Sequence, residues 1–97
     1  MKNGKKATAN SPEQRVELGR YIVADPEICH GKLTFKGTRI FVRDVLTDVE
    51  QGLSWDFIIQ RWGGGKLTKQ AITEAVHLAR TAFIAEDGRL ATYPRAA

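Results

Sequence analysis

The sequence is poor in the residues that build cross-links, metal centres and membrane spans. A single cysteine rules out a disulfide within the chain and fits a reducing cytoplasm. One cysteine and two histidines supply too few ligands for a closed zinc site. Apolar runs extend only a few residues, far short of the roughly twenty that a membrane-crossing helix needs. The lysines near the N-terminus precede no apolar stretch, so they do not read as a secretory signal. No paired carboxylates share a recognisable cleft motif and no cofactor fingerprint is present, so the expectation is a non-enzyme without metal or cofactor. Gly63-Gly64-Gly65-Lys66-Leu67-Thr68 is not a phosphate loop, because Leu67 separates the lysine from the hydroxyl and a helical pattern precedes it where a strand is required.

What is present is an ordinary globular composition, 42% hydrophobic and 27% charged, in a chain of 97 residues. That length fits one domain with a small core, which a second copy or a partner would help to stabilise. The net charge of +4 is uneven. Lys2, Lys5 and Lys6 supply three of it, and the remainder carries twelve Lys and Arg against eleven Asp and Glu. Within the C-terminal half, Asp44, Asp48, Glu50 and Asp56 come early, whereas Arg61, Lys66, Lys69 and Arg80 come late, opposed only by Glu74. The two ends of that half therefore differ in sign.

Residues 1–10 lack periodicity and read as a flexible basic tail, either solvated or lying along phosphates. Ser11-Pro12-Glu13 has the form of a helix start and predicts one or two turns through Val16 and Leu18, stopped at Gly19. Tyr21 to Ala24 predicts a short strand that Asp25-Pro26 ends. Leu33–Phe35 and Arg39–Val42 flank Lys36-Gly37-Thr38, the pattern of a hairpin, with Leu33 and Phe35 on one apolar face.

From residue 43 the period becomes helical. Val45, Leu46 and Val49 make one stripe of a first helix, with Asp44 and Asp48 on its outer side and Gly52 as its stop. Ser54 caps a second helix to about Trp62, with Phe57, Ile58 and Trp62 inward and Gln60 and Arg61 outward. The minimal linker Gly52-Leu53-Ser54 gives these two a helix-turn-helix-like joint. After the three glycines, Thr68 caps a third helix to about Glu86, buried through Ile72, Ala75, Val76, Ala79, Ala82 and Phe83, with Leu67 and Ile72 as a hydrophobic staple. Asp87-Gly88 ends it. The expected fold is mainly α with a small N-terminal β-sheet and a three-helix, helix-turn-helix-like core. It comprises a domain over 11–86, with strands in 21–42 and helices in 43–86, and a C-terminal tail at 87–97. Phe35, Phe57, Phe83 and one of Trp55 and Trp62 are expected near the core.

Asp25-Pro26, Ile28-Cys29, Gly31-Lys32, Lys36-Gly37-Thr38-Arg39-Ile40, Val42, Asp44-Val45 and Gly52-Leu53-Ser54 form an ordered set of short motifs. In their order and spacing the chain resembles, over about Tyr21 to Ala85, a small bacterial and archaeal family catalogued as domain of unknown function 433. The resemblance implies a helix-turn-helix type fold and the antitoxin half of toxin–antitoxin pairs. Two departures stand out: the triple glycine with Lys66 replaces a tighter, often proline-containing turn, and Lys69 and Gln70 stand where relatives frequently place acids.

Cys29 and His30 are sequence neighbours, which rarely face each other as a nucleophile and base must; a half-buried Cys and an exposed His account for them. The functional signal lies on the third helix. Lys69, Thr73, His77 and Arg80 share one outward stripe, with Lys66, Thr68 and Gln70 at its beginning. In helix-turn-helix proteins the recognition helix enters the major groove, where Gln reads adenine and Lys or Arg contact guanine and phosphate. A solvated helix face carries the same residue types, so double-stranded DNA and bare solvent both remain open as what this face meets. The small sheet has open edges, which predicts a homodimer, or a complex with a PIN-like nuclease toxin of the kind the resemblance implies, through strands in Tyr21–Val42 and in particular Tyr21, Val23, Leu33 and Phe35.

Overall fold

A computed structural model of the chain describes residues 13–91, so the basic tail, the Ser11-Pro12 helix start and the last six residues lie outside the described part. The fold is mainly α with a small antiparallel sheet ahead of three helices. The sheet has the order β1 (Val16–Glu17), β2 (Ile22–Ala24), β3 (Leu33–Phe35). A 3-10 turn at Cys29–Gly31 separates β2 from β3, and α1 (Val42–Glu50), α2 (Trp55–Arg61) and α3 (Lys69–Thr81) follow.

β1 corrects the expectation of a short helix there. Gly19, at φ +142°, turns the chain, the Leu18 amide donates to the Ile22 carbonyl at 2.9 Å, and Val16 and Glu17 pair with Ala24 and Val23. Pairing with a β-branched neighbour outweighs a helix-start signal that has only a few residues in which to propagate. The Arg15 guanidinium, and after it Lys36, hold the Glu17 carboxyl below its ordinary pKa.

The expected hairpin of Leu33–Phe35 with Arg39–Val42 is mostly replaced. Leu33–Phe35 pairs with β2, and Arg39–Val42 contributes only a bridge from Phe41 to Thr34 before Val42 opens α1. The turn itself forms: the Thr38 hydroxyl donates to the Phe35 carbonyl at 2.8 Å and accepts from the Ile40 amide at 2.9 Å. Ile22 and Phe35 lie opposite each other and both enter the helical core; Val23 and Thr34 are opposite on the other face and are as deeply buried. Leu33, at the open end of the ladder, stays exposed instead of sharing Phe35's environment.

The core joins Ile22 and Phe35 to Val42 and Val45 of α1, Ile58 of α2, Leu67, and Ala71, Ile72 and Ala75 of α3. Each helix start is built as its sequence suggests where a cap residue exists. Ser54 Oγ accepts from the Phe57 amide at 3.1 Å and Thr68 Oγ1 from the Ala71 amide at 3.1 Å. Leu67 and Ile72, both buried, close the staple over the second cap.

Three aromatic and helical expectations change. The inward stripe of α2 is Trp55, Ile58, Ile59 and Trp62, the i, i+3, i+4, i+7 set, so Phe57 falls off it and is 51% exposed. α3 stops at Thr81 rather than near Glu86, leaving Ala79, Ala82 and Phe83 exposed. Beyond it, Asp87-Gly88 makes a hairpin turn, with Ile84 bridged to Leu90 and the Ala91 amide donating to the Phe83 carbonyl at 2.8 Å. The Asp-Gly pair is a turn former, and cross-strand pairing takes the residues that the helix would have used.

Asp48 is the third change. Expected on the outer side of α1, it is 5% exposed. Its carboxylate accepts from the Trp62 indole N–H at 3.0 Å and faces the Arg61 guanidinium at 3.5 Å, while Arg61 lies over the Trp62 ring at 5.6 Å. The Asp48 carbonyl also accepts from the Leu53 amide at 3.2 Å, once Gly52 has reversed the chain at φ +82°. One residue thus fixes both the exit from α1 and the far end of α2. Asp48→Ala strands the part-buried indole N–H and releases the half-exposed Arg61 guanidinium to water, and should lower unfolding free energy by about 1–2 kcal/mol, read as a shifted urea midpoint at unchanged slope.

Candidate nucleic-acid interface

The link from α2 to α3 is Trp62 to Thr68, and its three glycines are all left-handed, at φ +66°, +71° and +66°. Consecutive left-handed positions are open to glycine and strained for residues with a Cβ, which accounts for the run. The Lys66 stem lies against Gly64, where an added Cβ would meet it at 3.7 Å. The chain then enters α3 through Leu67 in the core and Thr68 at the cap.

Every sequence-predicted DNA residue is exposed: Lys66, Thr68, Lys69, Gln70, Thr73, His77 and Arg80. Ala71, Ile72 and Ala75 occupy the buried side of α3, so the stripe from Lys69 through Thr73 and His77 to Arg80 faces away from the core. Within it, Thr73 Oγ1 donates to the Lys69 carbonyl at 2.8 Å. Arg80 has only donors, so its contact with His77 Nδ1 at 3.3 Å makes that nitrogen an acceptor and links the last two members. Thr68 spends its hydroxyl as an acceptor for the helix N-terminus.

Three charges behave differently from their sequence reading. Arg61 is held by Asp48 and Trp62 and so belongs to the α1–α2 joint. Lys69 pairs with Asp56 at 3.4 Å, but both are well exposed, so a phosphate competes for the lysine at little cost. Glu74, the acid on α3 that would have opposed the stripe, turns to the sheet instead. Its Oε1 accepts from the Tyr21 amide at 3.0 Å, and its Oε2 occupies the place that a Cβ on Gly19 would take. The acid set against this face is therefore the exposed Asp56 rather than Glu74.

The sheet residues separate. Val23 and Phe35 are buried within the fold, Tyr21 is half-buried and Leu33 is exposed. The open edge lies elsewhere, at β1, with Arg15 and Glu17. Arg15-Val16-Glu17-Leu18 alternates polar and apolar residues, and that period-two signal was available in the sequence. Cys29 is half-buried, with Arg39 Nη1 at 4.0 Å from its sulfur, and Cys29 and His30 are both left-handed. Among the described residues no group of three or more His, Cys, Asp or Glu is placed to hold a metal ion, and no helix is long and apolar enough to cross a membrane.

Sheet, three helices and a basic outer face on the last helix define a small α-rich module with a helix-turn-helix-like body. The chain belongs to the family described as Protein of unknown function (DUF433), which matches residues 22–79. That span holds β2, β3, α1, α2 and all but the last two residues of α3, and leaves out β1 and the C-terminal hairpin. No curated protein and no solved structure matches the chain.

Gly19→Ala should cost about 1–2 kcal/mol, since the new Cβ displaces the Glu74 carboxylate, frees the Tyr21 amide and occupies an unfavourable φ. In a thermal-melt cycle with Glu74→Ala the two losses should add to less than their sum, because both break the same contact.

Proposed function

We propose that this protein is an antitoxin-like, cytoplasmic DNA-binding regulator that reads duplex DNA with α3. The observation that carries the reading is the withdrawal of Glu74 to the sheet, which leaves Lys66, Lys69, Gln70, Thr73, His77 and Arg80 as an exposed face whose acidic contact is the well-exposed Asp56 at Lys69. Lys66, Lys69 and Arg80 supply phosphate or guanine contacts, Gln70 a bidentate pair to adenine, and the hydroxyl and imidazole between them short polar contacts. The reading assigns no catalytic step, metal or cofactor to the chain. The resemblance noted for the motifs between Tyr21 and Ala85 supports the antitoxin class.

A second reading is favoured by the open sheet edge: a protein-interaction module that neutralises a PIN-like nuclease toxin through that edge or a tail, without DNA. The readings are compatible, and DNA binding separates them. The deciding measurement is fluorescence anisotropy of the full chain with its own upstream duplex and with a scrambled duplex, over a salt series. The regulator reading expects tighter binding to the native duplex and a log-log salt slope that reports several phosphate contacts. Lys69→Ala/Gln70→Ala should weaken native-duplex binding about ten-fold or more while leaving the circular dichroism melt in place. Equal, weak binding to both duplexes that collapses with modest salt overturns it, and co-purification with the neighbouring toxin then decides for the second.

A further inference from the structure

β1 is the outer strand of the sheet, and among the described residues no strand lies on its far side. The phase of its backbone is fixed by β2. The Leu18 amide donates to the Ile22 carbonyl, and Val16 pairs with Ala24, so the peptide groups of Val16 and Leu18 point at β2. Those of Arg15 and Glu17 consequently point outward. On the core-facing side, Val16 and Leu18 are large apolar residues left 41% and 38% exposed at this edge. On the other side, Arg15 and Glu17 present opposite charges two positions apart, which the ion pair between them shows directly.

These features fit one another in a single arrangement. Set two β1 strands antiparallel about a two-fold axis at Val16. Arg15 then faces the partner's Glu17, and Glu17 the partner's Arg15; because these are the residues whose peptide groups point outward, each pair can exchange both of its backbone hydrogen bonds. Val16 meets the partner's Val16 at the non-hydrogen-bonded position, where side chains come closest. Leu18 falls on the diagonal beside it. Shifting the register by one residue would face two outward peptide groups with inward ones, and a shift by two would place like charges opposite each other. We propose that the β1 edge is the docking surface for a second copy of this chain, giving an isologous dimer with a continuous sheet in the order β3-β2-β1-β1-β2-β3. The partner is a second copy because the charge order of the edge is complementary to itself. The proposal does not depend on DNA binding, and its test contains no DNA. It lies outside the family-matched span, which begins at Ile22.

The test is sedimentation of the full chain at increasing concentration, alone and in charge variants. The native chain should be a concentration-dependent dimer. Glu17→Arg and Arg15→Glu each make the edge single-signed, and each should weaken self-association about ten-fold or more. A one-to-one mixture of the two variants should regain it, since each edge then meets its opposite. Both variants lack the intrachain Arg15–Glu17 pair, so recovery in the mixture reports contact between chains. Val16→Cys in a Cys29→Ser background should oxidise to a covalent dimer in non-denaturing buffer and remain monomeric when oxidised in urea; this checks the two-fold without altering charge. A native chain that stays monomeric at high concentration, a dimer indifferent to both charge variants, or a Val16→Cys chain that fails to cross-link overturns the proposal. In the first case the N-terminal residues 1–12 or an unlike partner would be the occupant of the edge.

Discussion

The geometry of the helical half hangs on a carboxylate in the wrong place by simple patterning. Asp48 sits in the interior between α1 and the end of α2, where a lone charge would be costly, and is retained because the Trp62 indole and the Arg61 guanidinium both serve it. A hydrophobic residue there would bury comfortably but would fix no angle. The carboxylate takes two directional partners from one short helix and so anchors the end of α2, which the left-handed Gly63 then terminates by donating to the Ile59 and Gln60 carbonyls. From that point α3 is placed by the Leu67–Ile72 staple and the sheet contact of Glu74.

Much of this was legible in the sequence, for physical reasons that differ from element to element. Ser54 and Thr68 were readable as caps because capping is a local hydrogen bond between near neighbours. Val45 and Ile72 were readable as core because a helical stripe repeats. The face of α3 was readable because polar residues at i, i+4 and i+8 share a side whatever the rest of the chain does. The failures have a common cause, which is competition from distant groups. Asp48 looked solvated until Trp62, fourteen residues on, was brought to it. Val16 and Glu17 carried an alternating pattern that a helix-start signal concealed, and only pairing with β2 decides between them. Phe83 lost its place on α3 to a hairpin closed by Asp87 and Gly88.

The candidate DNA face and its basic sign were both read from the sequence, but the partners of its charges were not. Sequence could count Glu74 as an opposing charge; it could not show that Tyr21 and Gly19, more than fifty positions away, would draw that carboxylate to the sheet. Nor could it show that Arg61, counted as a free cation, belongs to the joint between helices. One acid and one base change allegiance: Glu74 goes to the sheet and Arg61 to the joint between α1 and α2.

The shortest strand has a further consequence, for solubility. Without β1, the sheet would end at Tyr21-Ile22-Val23-Ala24, an uncharged, β-branched run whose unpaired backbone would template indiscriminate stacking of chains. With β1 in place, that run is interior, and the exposed rim is Arg15-Val16-Glu17, where charges of both signs act as gatekeepers. A rim of that kind repels most extended segments that approach it and accepts those with the matching order of charge. Two residues of strand thus convert an aggregation hazard into an edge that discriminates among its neighbours.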